Sequence, residues 1–535
     1  MKEKIKFQIK KIIASLTEKG DWPNIVLPNF NIDRPAESKF GDYALSLPLK
    51  LAGIFKKPPL EIAAHIAARI KTSSDFKKYF EKIEVASPGF INFFLSENYI
   101  KTELKNILKK GDQFGRSRFG KNKKVLIEFI SANPTGQLHI GHGRGAFFGD
   151  VLGNLLNFAG FKVQKEYYVN DAKNSNQIRA LGKTALGKSD TYLNDYLKKK
   201  IKEIKQKLKN IKDEGEAGYF LAGRIQKDNE KFIKNKLKIN FDQWFKEESL
   251  YPEKTNKIFK GLEKKNLIYE KDGAVWLRTS QFGDFEDRVV VRSNREPTYF
   301  LPDIAYHEDK FSRGFQKLIN IWGADHQGHV IRLKAVQKML GWKGELDILI
   351  SQIVSLKSEK GAVKMSKRKG QIVTLAWLVE EVGLDSARFF YLTKSLDTQM
   401  EFDLDLALKT SKENPVFYIQ YAYARISSIF RKSPKNLSWK NFNSHLLKNS
   451  DELELLKKMI IFPEILEETA QNYQIHRLTE YALDLAGVFH DFYEKTRVIS
   501  ENKELTRSRL ALVFSVQIVL NNLLSILGIT RPKRM

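Results

Sequence analysis

Cysteine is absent from the 535-residue sequence. That absence excludes disulfide bonds, iron–sulfur clusters and zinc sites built on thiolates, and it excludes redox chemistry on thiols. Metal sites made of carboxylates and the nine histidines stay open.

Long hydrophobic runs are also missing. No stretch reaches the roughly eighteen consecutive apolar residues that are typical of a membrane-spanning helix. The amino terminus, Met1-Lys2-Glu3-Lys4, leads into an amphipathic segment without the apolar core of a signal peptide. The sequence therefore predicts a cytoplasmic protein.

Acidic residues are few beside basic ones. Asp and Glu number 63 against 91 Lys and Arg, which gives a formal net charge of +28. Such an excess is balanced by counterions or by a polyanionic partner, and nucleic acid is the natural candidate. The alternative is a lysine-rich surface that reflects solubility and base composition alone.

The pattern along the chain predicts three domains, at residues 1–112, 113–404 and 405–535. The first has an amphipathic helix at 7–16, a second helix at 59–70 and a strand at 89–95, which is typical of a small α/β unit. A basic linker that contains glycine, at 109–115, marks its end.

The middle region alternates short apolar strands with glycine turns and helices, the pattern of parallel βαβ units. Strands are predicted at 125–130, 317–322 and 346–354. Between the first two lies an insertion at about 180–295. Its lysine-rich helix at 196–213 is most simply a solvated face, with contact to a polyanion as the alternative. After residue 405 helical periodicity dominates, so the third domain is predicted to be all-α.

A glycine-rich segment with two histidines follows the first of these strands. It reads SANPTGQLHIGHGRG at residues 131–145 and opens a predicted helix that runs to about 158. A helix amino terminus behind a strand favours phosphate, because backbone N–H groups and the helix dipole point at it. His139 and His142 lie on one side of the first turn, and Gly141 lets a ligand approach closely. Both imidazoles can then donate hydrogen bonds to phosphate oxygens; the alternatives are histidines that cap the helix or ligate a metal.

A second basic segment, KMSKRKG at residues 364–370, lies in a loop flanked by glycines. Such a loop can bring Lys364 and Lys367 against the phosphates of a nucleotide and neutralise the departing pyrophosphate. A lysine-rich loop on its own is more often solvated.

Taken together, His139-Ile140-Gly141-His142 and Lys364-Met365-Ser366-Lys367 resemble the HIGH and KMSKS signatures of class I aminoacyl-tRNA synthetases. Order and separation both agree, and Arg368 stands at the position of the family's last serine. Within that class, blocks along nearly the whole chain resemble the arginyl-tRNA synthetases. These blocks lie at residues 40–44, 88–93, 129–136, 168–172, 241–245, 299–307, 322–329 and 414–425.

The resemblance implies an α/β fold with a Rossmann-like parallel-sheet catalytic domain. It adds an N-terminal α/β domain that contacts the tRNA elbow, and a C-terminal all-α helical-bundle domain that binds the anticodon. The implied enzyme is an arginine–tRNA ligase that converts arginine and ATP to arginyl-adenylate and pyrophosphate, and then esterifies the terminal adenosine of tRNA(Arg). ATP would be a substrate with Mg²⁺ carried by the nucleotide, without zinc, and tRNA would bind before the first step. A monomer without membrane contact is expected.

The resemblance also assigns roles to residues at matching positions. The catalytic groups would be His139, His142, Lys364 and Lys367. The ATP site would contain His139, Gly141, His142, Gly143, Lys364, Met365, Ser366 and Lys367. The arginine site would contain Glu128, Ser131, Asn133, His142, Tyr299, Asp303, Asp325 and His326. The tRNA contacts would include Phe90, Asn92, Tyr418, Tyr421 and Arg425.

For Asp303, elementary chemistry and the resemblance agree. A guanidinium presents a planar fork that a carboxylate meets bidentately. A buried aspartate would reject uncharged amino acids, because its charge would be left unpaired. The alternative is that Asp303 caps a helix at 304–311.

Two other functions are weighed. Residues 182–189, GKTALGKS, match the P-loop pattern GxxxxGKS, but a P-loop needs a strand immediately before it, and residues 174–181 are polar and helix-like. A tRNA-binding paralogue without catalysis would be expected to have lost His139, His142 or Lys367, and all three are present. Among synthetases, the lack of cysteine disfavours the zinc-dependent cysteinyl type, and the length leaves no room for a large editing insertion.

Overall fold

The computed structural model describes residues 1–358, 373–434 and 437–535, and its amino-terminal part is an antiparallel sheet packed against helices. The elements are α1 (Lys2–Glu18), β1 (Ile32–Asp33), β2 (Tyr43–Leu45), α2 (Leu47–Phe55), α3 (Pro59–Thr72), α4 (Ser74–Tyr79), β3 (Phe80–Ala86) and β4 (Phe90–Leu95). The strand order is β1-β2-β4-β3. In α1, Ile5, Ile9 and Ile13 recur at helical spacing and are buried. The predicted helices at 7–16 and 59–70 and the strand at 89–95 are confirmed.

The middle region is built on a parallel sheet. In chain order its elements are α5 (Glu97–Lys110), β5 (Lys124–Glu128), α6 (Ile140–Phe158), β6 (Lys162–Val169), α7 (Asn176–Ala185), α8 (Asp195–Leu208), α9 (Glu214–Asn235), β7 (Gln243–Lys246), α10 (Glu253–Lys264), β8 (Ile268–Lys271), β9 (Ala274–Leu277), β10 (Arg288–Val291), α11 (Phe300–Ser312), β11 (Lys317–Gly323), α12 (His329–Leu340), β12 (Glu345–Ser351), β13 (Val354–Lys357), α13 (Leu375–Val382), α14 (Leu384–Leu392) and β14 (Met400–Asp403). Five strands form the central sheet in the order β12-β11-β5-β6-β7, and all neighbours are parallel. The predicted βαβ architecture is confirmed.

Two predicted strands have different ends in the structure. The strand predicted at 125–130 stops at Glu128, because Ile130 (φ 69°) and Ser131 (φ 42°) adopt left-handed backbone conformations that a strand cannot continue. The strand predicted at 346–354 is divided, since β12 ends at Ser351 and the separate β13 pairs with β14 outside the central sheet.

The insertion contains two small units. Helices α7, α8 and α9 share a core of their own, while β8, β9 and β10 form an antiparallel sheet against α10 and α12. The lysine-rich segment predicted as a helix is α8. Gly182 lies inside α7, where an added Cβ would come within 1.7 Å of the Glu214 carbonyl oxygen. Gly182 therefore serves close helix packing, and because helix α7 rather than a strand precedes the GKS end of the segment, the P-loop hypothesis is wrong.

The carboxy-terminal region is helical, as predicted. Its helices are α15 (Leu404–Leu408), α16 (Pro415–Lys432), α17 (Ser450–Ile460), α18 (Phe462–Asn472), α19 (His476–Lys495) and α20 (Lys503–Leu527). By length and composition α20 could span a bilayer, although polar residues interrupt its apolar sequence and no long continuous apolar run is present. Its apolar window is 78% buried inside the protein, as in a core helix.

The predicted linker at 109–115 is packed rather than free. Helix α5 lies against α17 and α20 and buries Ile100, Leu104 and Ile107. The side-chain amide of Asn522 on α20 donates to the carbonyl of Phe114 at 2.9 Å. The amino-terminal and carboxy-terminal regions are thus joined through α5, and the predicted boundary at residue 112 falls within this packed connection.

A buried ion pair links the catalytic region to α20. Arg388 on α14 is 1% exposed and pairs with Asp150 on α6, which also accepts from Lys165 at 2.6 Å. Burial raises the pKa of Asp150, but the cations Arg388 and Lys165 outweigh it and hold the pKa below its usual value. Arg388 also donates to the carbonyls of Leu237 (2.8 Å) and Leu527 (3.4 Å). One guanidinium therefore satisfies groups from three other parts of the chain.

Candidate active site

The predicted site residues gather at the carboxyl end of the central sheet. The segment from 128 to 142 follows β5, residues 170–175 follow β6, and residues 324–328 follow β11. In parallel α/β sheets ligands bind outside this edge, where neighbouring loops leave a crevice. The fold therefore brings together segments that are far apart in sequence.

His139 and His142 lie side by side at the start of α6, with their ring planes tilted by 33°. Their ring centroids are 3.7 Å apart, and both rings are half-buried. His139 is the N-cap residue, and its Nδ1 accepts from the Gly141 N–H at 3.1 Å. The Nδ1 of His142 accepts from the His139 N–H at 3.1 Å. The capping alternative is thus correct for one edge of each ring, and the Nε2 edge has no hydrogen-bond partner among the described residues.

The hydrogen bonds fix the protonation of both rings. Burial lowers the pKa of His139, and burial followed by the proximity of His139 lowers the pKa of His142 to about 3. Both imidazoles are therefore neutral near pH 7. Since Nδ1 accepts in each case, the single ring proton lies on Nε2. Two Nε2–H donors are available to developing charge on a phosphate.

The glycines of this segment have different constraints. A Cβ on Gly141 would lie 2.8 Å from the His139 ring, so glycine makes room for the capping imidazole. A Cβ on Gly143 would lie 2.8 Å from the Tyr391 ring, so glycine is needed there for packing. The contact of Gly143 with ATP stays a prediction.

The residues that follow the predicted lysine loop pair with the histidine segment. The Ile140 N–H donates to the Val373 carbonyl at 3.1 Å, and the Leu375 N–H donates to the Leu138 carbonyl at 2.8 Å. A single β-bridge joins His139 and Thr374. Lys364, Met365, Ser366 and Lys367 themselves lie outside the described residues.

Asp303 lies in the first turns of α11 with a carboxylate that no described residue hydrogen-bonds. Helix α11 begins at Phe300 with Tyr299 as N-cap, so the alternative that Asp303 caps a helix is wrong. Burial and then the nearby Glu128 raise the pKa of Asp303 to about 7, while Lys310 opposes the shift. An acid held in this way is stabilised as an anion when a cation binds.

Glu247 is a second such acid, and the sequence analysis missed it. It is 6% exposed in the turn after β7. Burial, followed by the charges of Asp303 and Asp171, raises the pKa of Glu247 to about 8, and the backbone of Ala172 provides a hydrogen bond. Tyr168, fully buried beside both acids, has its pKa raised by burial and then by Glu247 and Asp303. This anionic pocket of Asp303, Glu247 and Tyr168 matches a guanidinium in charge and hydrogen-bonding capacity.

The loop after β6 and the turn after β7, which surround Glu247, are joined by hydrogen bonds. The Glu248 N–H donates to Asp171 Oδ1 at 3.0 Å, and the Lys173 N–H donates to Glu248 Oε2 at 2.9 Å. Asp171 lies in the 168–172 block, which resembles the arginyl-tRNA synthetases, but only the fold shows that it positions Glu247. Position 247 itself carries no sequence signal beyond its place next to the 241–245 block.

The remaining predicted arginine-site residues occupy the rim or the floor of the crevice. Glu128 is buried and accepts from Lys310 at 2.5 Å. Ser131 accepts from the Tyr168 N–H at 3.1 Å, which supports the loop, and Asn133 is exposed. The Tyr299 hydroxyl donates to Gln177 at 2.9 Å and ties α11 to the insertion. The side chains of Asp325 and His326 are 81% and 55% exposed after β11.

Two of the predicted tRNA contacts lie on the outer face of the amino-terminal sheet. Phe90, Asn92 and Phe94 lie on one face of β4, and the core residues Ile91 and Phe93 lie on the opposite face. Asn92 is only 5% exposed, yet no described residue hydrogen-bonds its amide. A polar amide between two aromatic rings is suited to the edge of a stacked base.

The other predicted tRNA contacts form an exposed aromatic cluster on the helical domain. The Arg425 guanidinium lies between Tyr421 and Tyr493, 4.6 and 4.8 Å from the two ring centroids. Tyr421 and Tyr493 are each 36% exposed. Tyr418 is half-buried and packs against His490, with centroids 4.6 Å apart. Tyr493 comes from α19 and was not predicted, because only the fold brings α16 and α19 together.

Comparison with known proteins gives three family matches along the chain. The arginyl tRNA synthetase N terminal domain matches residues 2–95, the catalytic domain of class I (R) tRNA synthetases matches 103–404, and the DALR anticodon binding domain matches 419–535. The second of these alone spans more than half of the sequence.

Whole-chain relatives agree with the family matches. The arginine–tRNA ligase of Geobacter sp. (strain M21) is 43% identical over 100% of both chains, and that of Bacillus subtilis (strain 168) is 41% identical over 100% of this chain and 99% of its own. A solved structure of a putative arginyl-tRNA synthetase from Campylobacter jejuni is 32% identical, covers 82% of this chain and 100% of its own, and has a TM-score of 0.73. The arginyl-tRNA synthetase of Thermus thermophilus shares the fold, with a TM-score of 0.77, 23% identity and coverage of 99% and 100%.

Proposed function

The chain belongs to the arginyl-tRNA synthetases, and from that premise we propose how its own residues divide the reaction. It is a class I aminoacyl-tRNA ligase that activates arginine with ATP and transfers it to tRNA(Arg). The proposal concerns which side chains bind each substrate part. The observation that carries it is the pocket of Asp303 and Glu247, two carboxyls that lack a paired cation among the described residues.

Arginine lies across the carboxyl edge of the sheet. Its guanidinium occupies the anionic pocket and pairs with Asp303 and Glu247. Its α-ammonium lies near the free oxygen of Glu128, and Asn133 contacts the α-carboxylate end. This arrangement exposes the carboxylate toward the amino terminus of α6, where the histidine pair lies.

The first chemical step is an in-line displacement at phosphorus. An oxygen of the arginine carboxylate bonds to the α-phosphorus of ATP, the bond to the β-phosphate oxygen breaks, and pyrophosphate departs. The Nε2–H groups of His139 and His142 stabilise charge on the phosphate oxygens, while Lys364 and Lys367 keep the role assigned from sequence toward the leaving group. Mg²⁺ enters with ATP as part of the substrate. No side chain is a covalent nucleophile.

Arginine-dependent exchange of labelled pyrophosphate into ATP tests the assignment. We expect exchange with arginine in the presence of tRNA(Arg), and none with lysine or with citrulline, the neutral isostere of arginine. Exchange supported by lysine instead of arginine would overturn the amino-acid assignment. Omission of tRNA tests whether tRNA binding precedes the first step.

Arginine binding is expected to weaken in acid. Both Asp303 (pKa about 7) and Glu247 (pKa about 8) must be ionised to pair with a guanidinium. The kcat/KM for arginine, which reports the free enzyme, should fall about tenfold per pH unit between pH ~8 and ~7 and about a hundredfold per unit below pH ~7, mainly through KM. Because both pKa values are raised, the folded empty enzyme binds more protons than the unfolded chain between about pH 4 and 8. These groups therefore stabilise the empty fold less as pH rises through that window. Stabilisation by added arginine, measured as a shift in Tm, should be larger at pH 8 than at pH 6.

Replacing the second histidine should slow adenylate formation. The change His142→Ala removes an Nε2–H donor and is expected to lower kcat for exchange by about 10²-fold, with a smaller change in KM for ATP. His142→Gln places an amide N–H near the lost Nε2 and should retain more activity. Single-turnover measurement of adenylate formation checks both variants, and equal activity of the two would remove the proposed donor role.

The tRNA contacts are assigned to the two outer regions. Phe90 and Asn92 contact the elbow, and Tyr418, Tyr421 and Arg425 contact the anticodon, joined by Tyr493. The change Tyr421→Ala is expected to weaken tRNA binding by about 1–3 kcal/mol through lost stacking. Filter binding measures the loss, and Tyr269→Ala, in the sheet of the insertion, serves as an aromatic control without expected effect. A Tyr421 variant with unchanged tRNA affinity would contradict the assignment.

The last two properties are the cellular location of the protein and its oligomeric state. We infer a cytoplasmic monomer, because the reaction consumes ATP and tRNA and because each part of the proposed site comes from one chain. Gel filtration with light scattering tests the assembly state.

A further inference from the structure

A buried lysine next to the arginine site has no role in the steps above. Lys310 on α11 is 0% exposed, and its Nζ lies 4.1 Å from the centroid of the Tyr306 ring. The ammonium donates to Glu128 Oε2 at 2.5 Å and to Asn320 Oδ1 at 3.0 Å. A buried charge costs several kcal/mol unless it is paired and hydrogen-bonded. This lysine is paired with the same carboxylate that we assign to the amino end of arginine.

In the series of hydrogen bonds that starts at Lys310, the donor and the acceptor of each bond are fixed. Asn320 must present Oδ1 to the ammonium, so its Nδ2 faces His307 Nε2, 2.7 Å away, and donates to it. His307 is therefore neutral with its proton on Nδ1, which donates to the backbone carbonyl of Asp303 at 2.8 Å. Burial and then Lys310 lower the pKa of His307, in agreement with a neutral ring. No member of the chain can be reversed without leaving a buried donor or acceptor unpaired.

This series of hydrogen bonds begins and ends at residues of the two ends of the proposed arginine site. At one end Lys310 fixes Glu128, which takes the α-ammonium in the proposed function. At the other end His307 fixes the turn of α11 that carries Asp303, which takes the guanidinium. Glu128 and Lys310 are 182 positions apart in sequence, and β5 and α11 are separate elements, so no local structure sets their spacing. The contact between Lys310 and Glu128 joins β5 to α11, the helix that also carries Asp303.

Resting on the proposed function, we propose that Lys310 is a positioning residue that sets the distance between the ammonium and guanidinium sites and thereby selects an amino acid of arginine's length. Lys310 does not touch the substrate. It acts through Glu128 directly and through Asn320 and His307 on Asp303. Loss of its charge releases both ends at once.

The first experiment replaces Lys310 by a side chain of similar length without charge. In Lys310→Met we expect kcat/KM for arginine in pyrophosphate exchange to fall about 10²-fold, as for small misplacements of a bound substrate. KM should change more than kcat. The preference for arginine over homoarginine, which has one more methylene, should fall at least tenfold.

A matched control is available on the neighbouring helix α10. Lys254 pairs with Asp309 of α11 at 2.6 Å and is 43% exposed. Lys254→Met should leave kcat/KM and the preference for arginine unchanged. An equal loss for arginine and homoarginine in Lys310→Met would make Lys310 a structural residue only and overturn the proposal. Failure of the wild-type protein to exchange with arginine would instead refute the proposed function.

A second variant keeps the test decisive if Lys310→Met does not fold. Asn320→Asp puts an oxygen opposite His307 Nε2, so the chain persists only when His307 is doubly protonated. Among the described residues, the charged and titratable groups near His307 are Lys310 and Tyr306 on α11 and, through Lys310, Glu128 on β5; Trp322 and Trp342 contribute uncharged rings.

The sign of the pH dependence separates the outcomes. In the wild type, KM for arginine is expected to rise as pH falls. In Asn320→Asp it should also rise as pH increases, because His307 then loses the proton that bridges the chain. A variant that folds and follows the wild-type profile at high pH would overturn the proposal.

Discussion

Asp303→Asn and Glu247→Gln are each expected to lower kcat/KM for arginine by about 10²- to 10⁴-fold. Each change removes one carboxylate from a desolvated pocket and leaves the guanidinium with an unpaired face, a loss of about 3–5 kcal/mol. Both replacements keep shape and volume, so the fold should be retained. Steady-state exchange kinetics at pH 8, where both wild-type acids can be ionised, measures the loss.

The controls for this prediction separate charge from structure. Asp309→Asn lies on the same helix, but its carboxylate already pairs with Lys254 and Arg313, so arginine kinetics should hardly change. The neutral analogue citrulline should gain relative to arginine in Asp303→Asn, because an amide tolerates a urea better than an anion does. Unchanged arginine kinetics in both pocket variants would refute the assigned guanidinium site.

Arg388→Ala is expected to lower the free energy of unfolding by about 3–5 kcal/mol, because Asp150 and two backbone carbonyls lose a buried partner. Chemical denaturation followed by tryptophan fluorescence measures the change. Arg507→Ala removes a guanidinium from a surface pair with Glu504 and should cost less than about 1 kcal/mol. An equal, small effect of both variants would contradict the importance given to the buried pair.

The Asp150 carboxylate offers a further check on the same prediction. In a double-mutant cycle with Asp150→Ala, the two changes should be strongly non-additive, since each removes the same interaction. The carbonyl of Leu527 lies at the end of α20, so the loss of Arg388 should also loosen the helical region against the catalytic sheet. Additive effects would show that the two residues stabilise the protein independently.

Much of the fold could be predicted because its elements have strong local patterns. The apolar spacing of α1, the short β-rich runs of β5 and β11, and the long periodic helices after residue 405 all appear where the sequence places them. The family and the reaction could be predicted as well, since the segment around His139 and His142 and blocks along nearly the whole chain resemble those of known arginyl-tRNA synthetases. The ends of β5 and the division of β12 from β13 could not, because they depend on backbone turns and on a distant partner strand.

The residues that were missed share a different property. Glu247 and Lys310 carry charges that sequence patterns place on the surface, and both are buried. Glu247 is buried because the loop after β6 closes on it, and Lys310 because Glu128 and Asn320 receive its ammonium. Such pairings join positions far apart in the chain, so no window of sequence contains both partners. The structure likewise adds Tyr493 to the predicted pair Tyr421 and Arg425.

The packing of α5 determines how the protein can be dissected. A truncated protein that starts at residue 113 would lack α5 and would expose the apolar surfaces of α17 and α20 that bury Ile100, Leu104 and Ile107. Such surfaces promote aggregation. Removal of the amino-terminal sheet with retention of α5, by starting near residue 96, would keep this packing, while Glu464 and Glu468 on α18 would lose their partners Met1, Lys2 and Arg34.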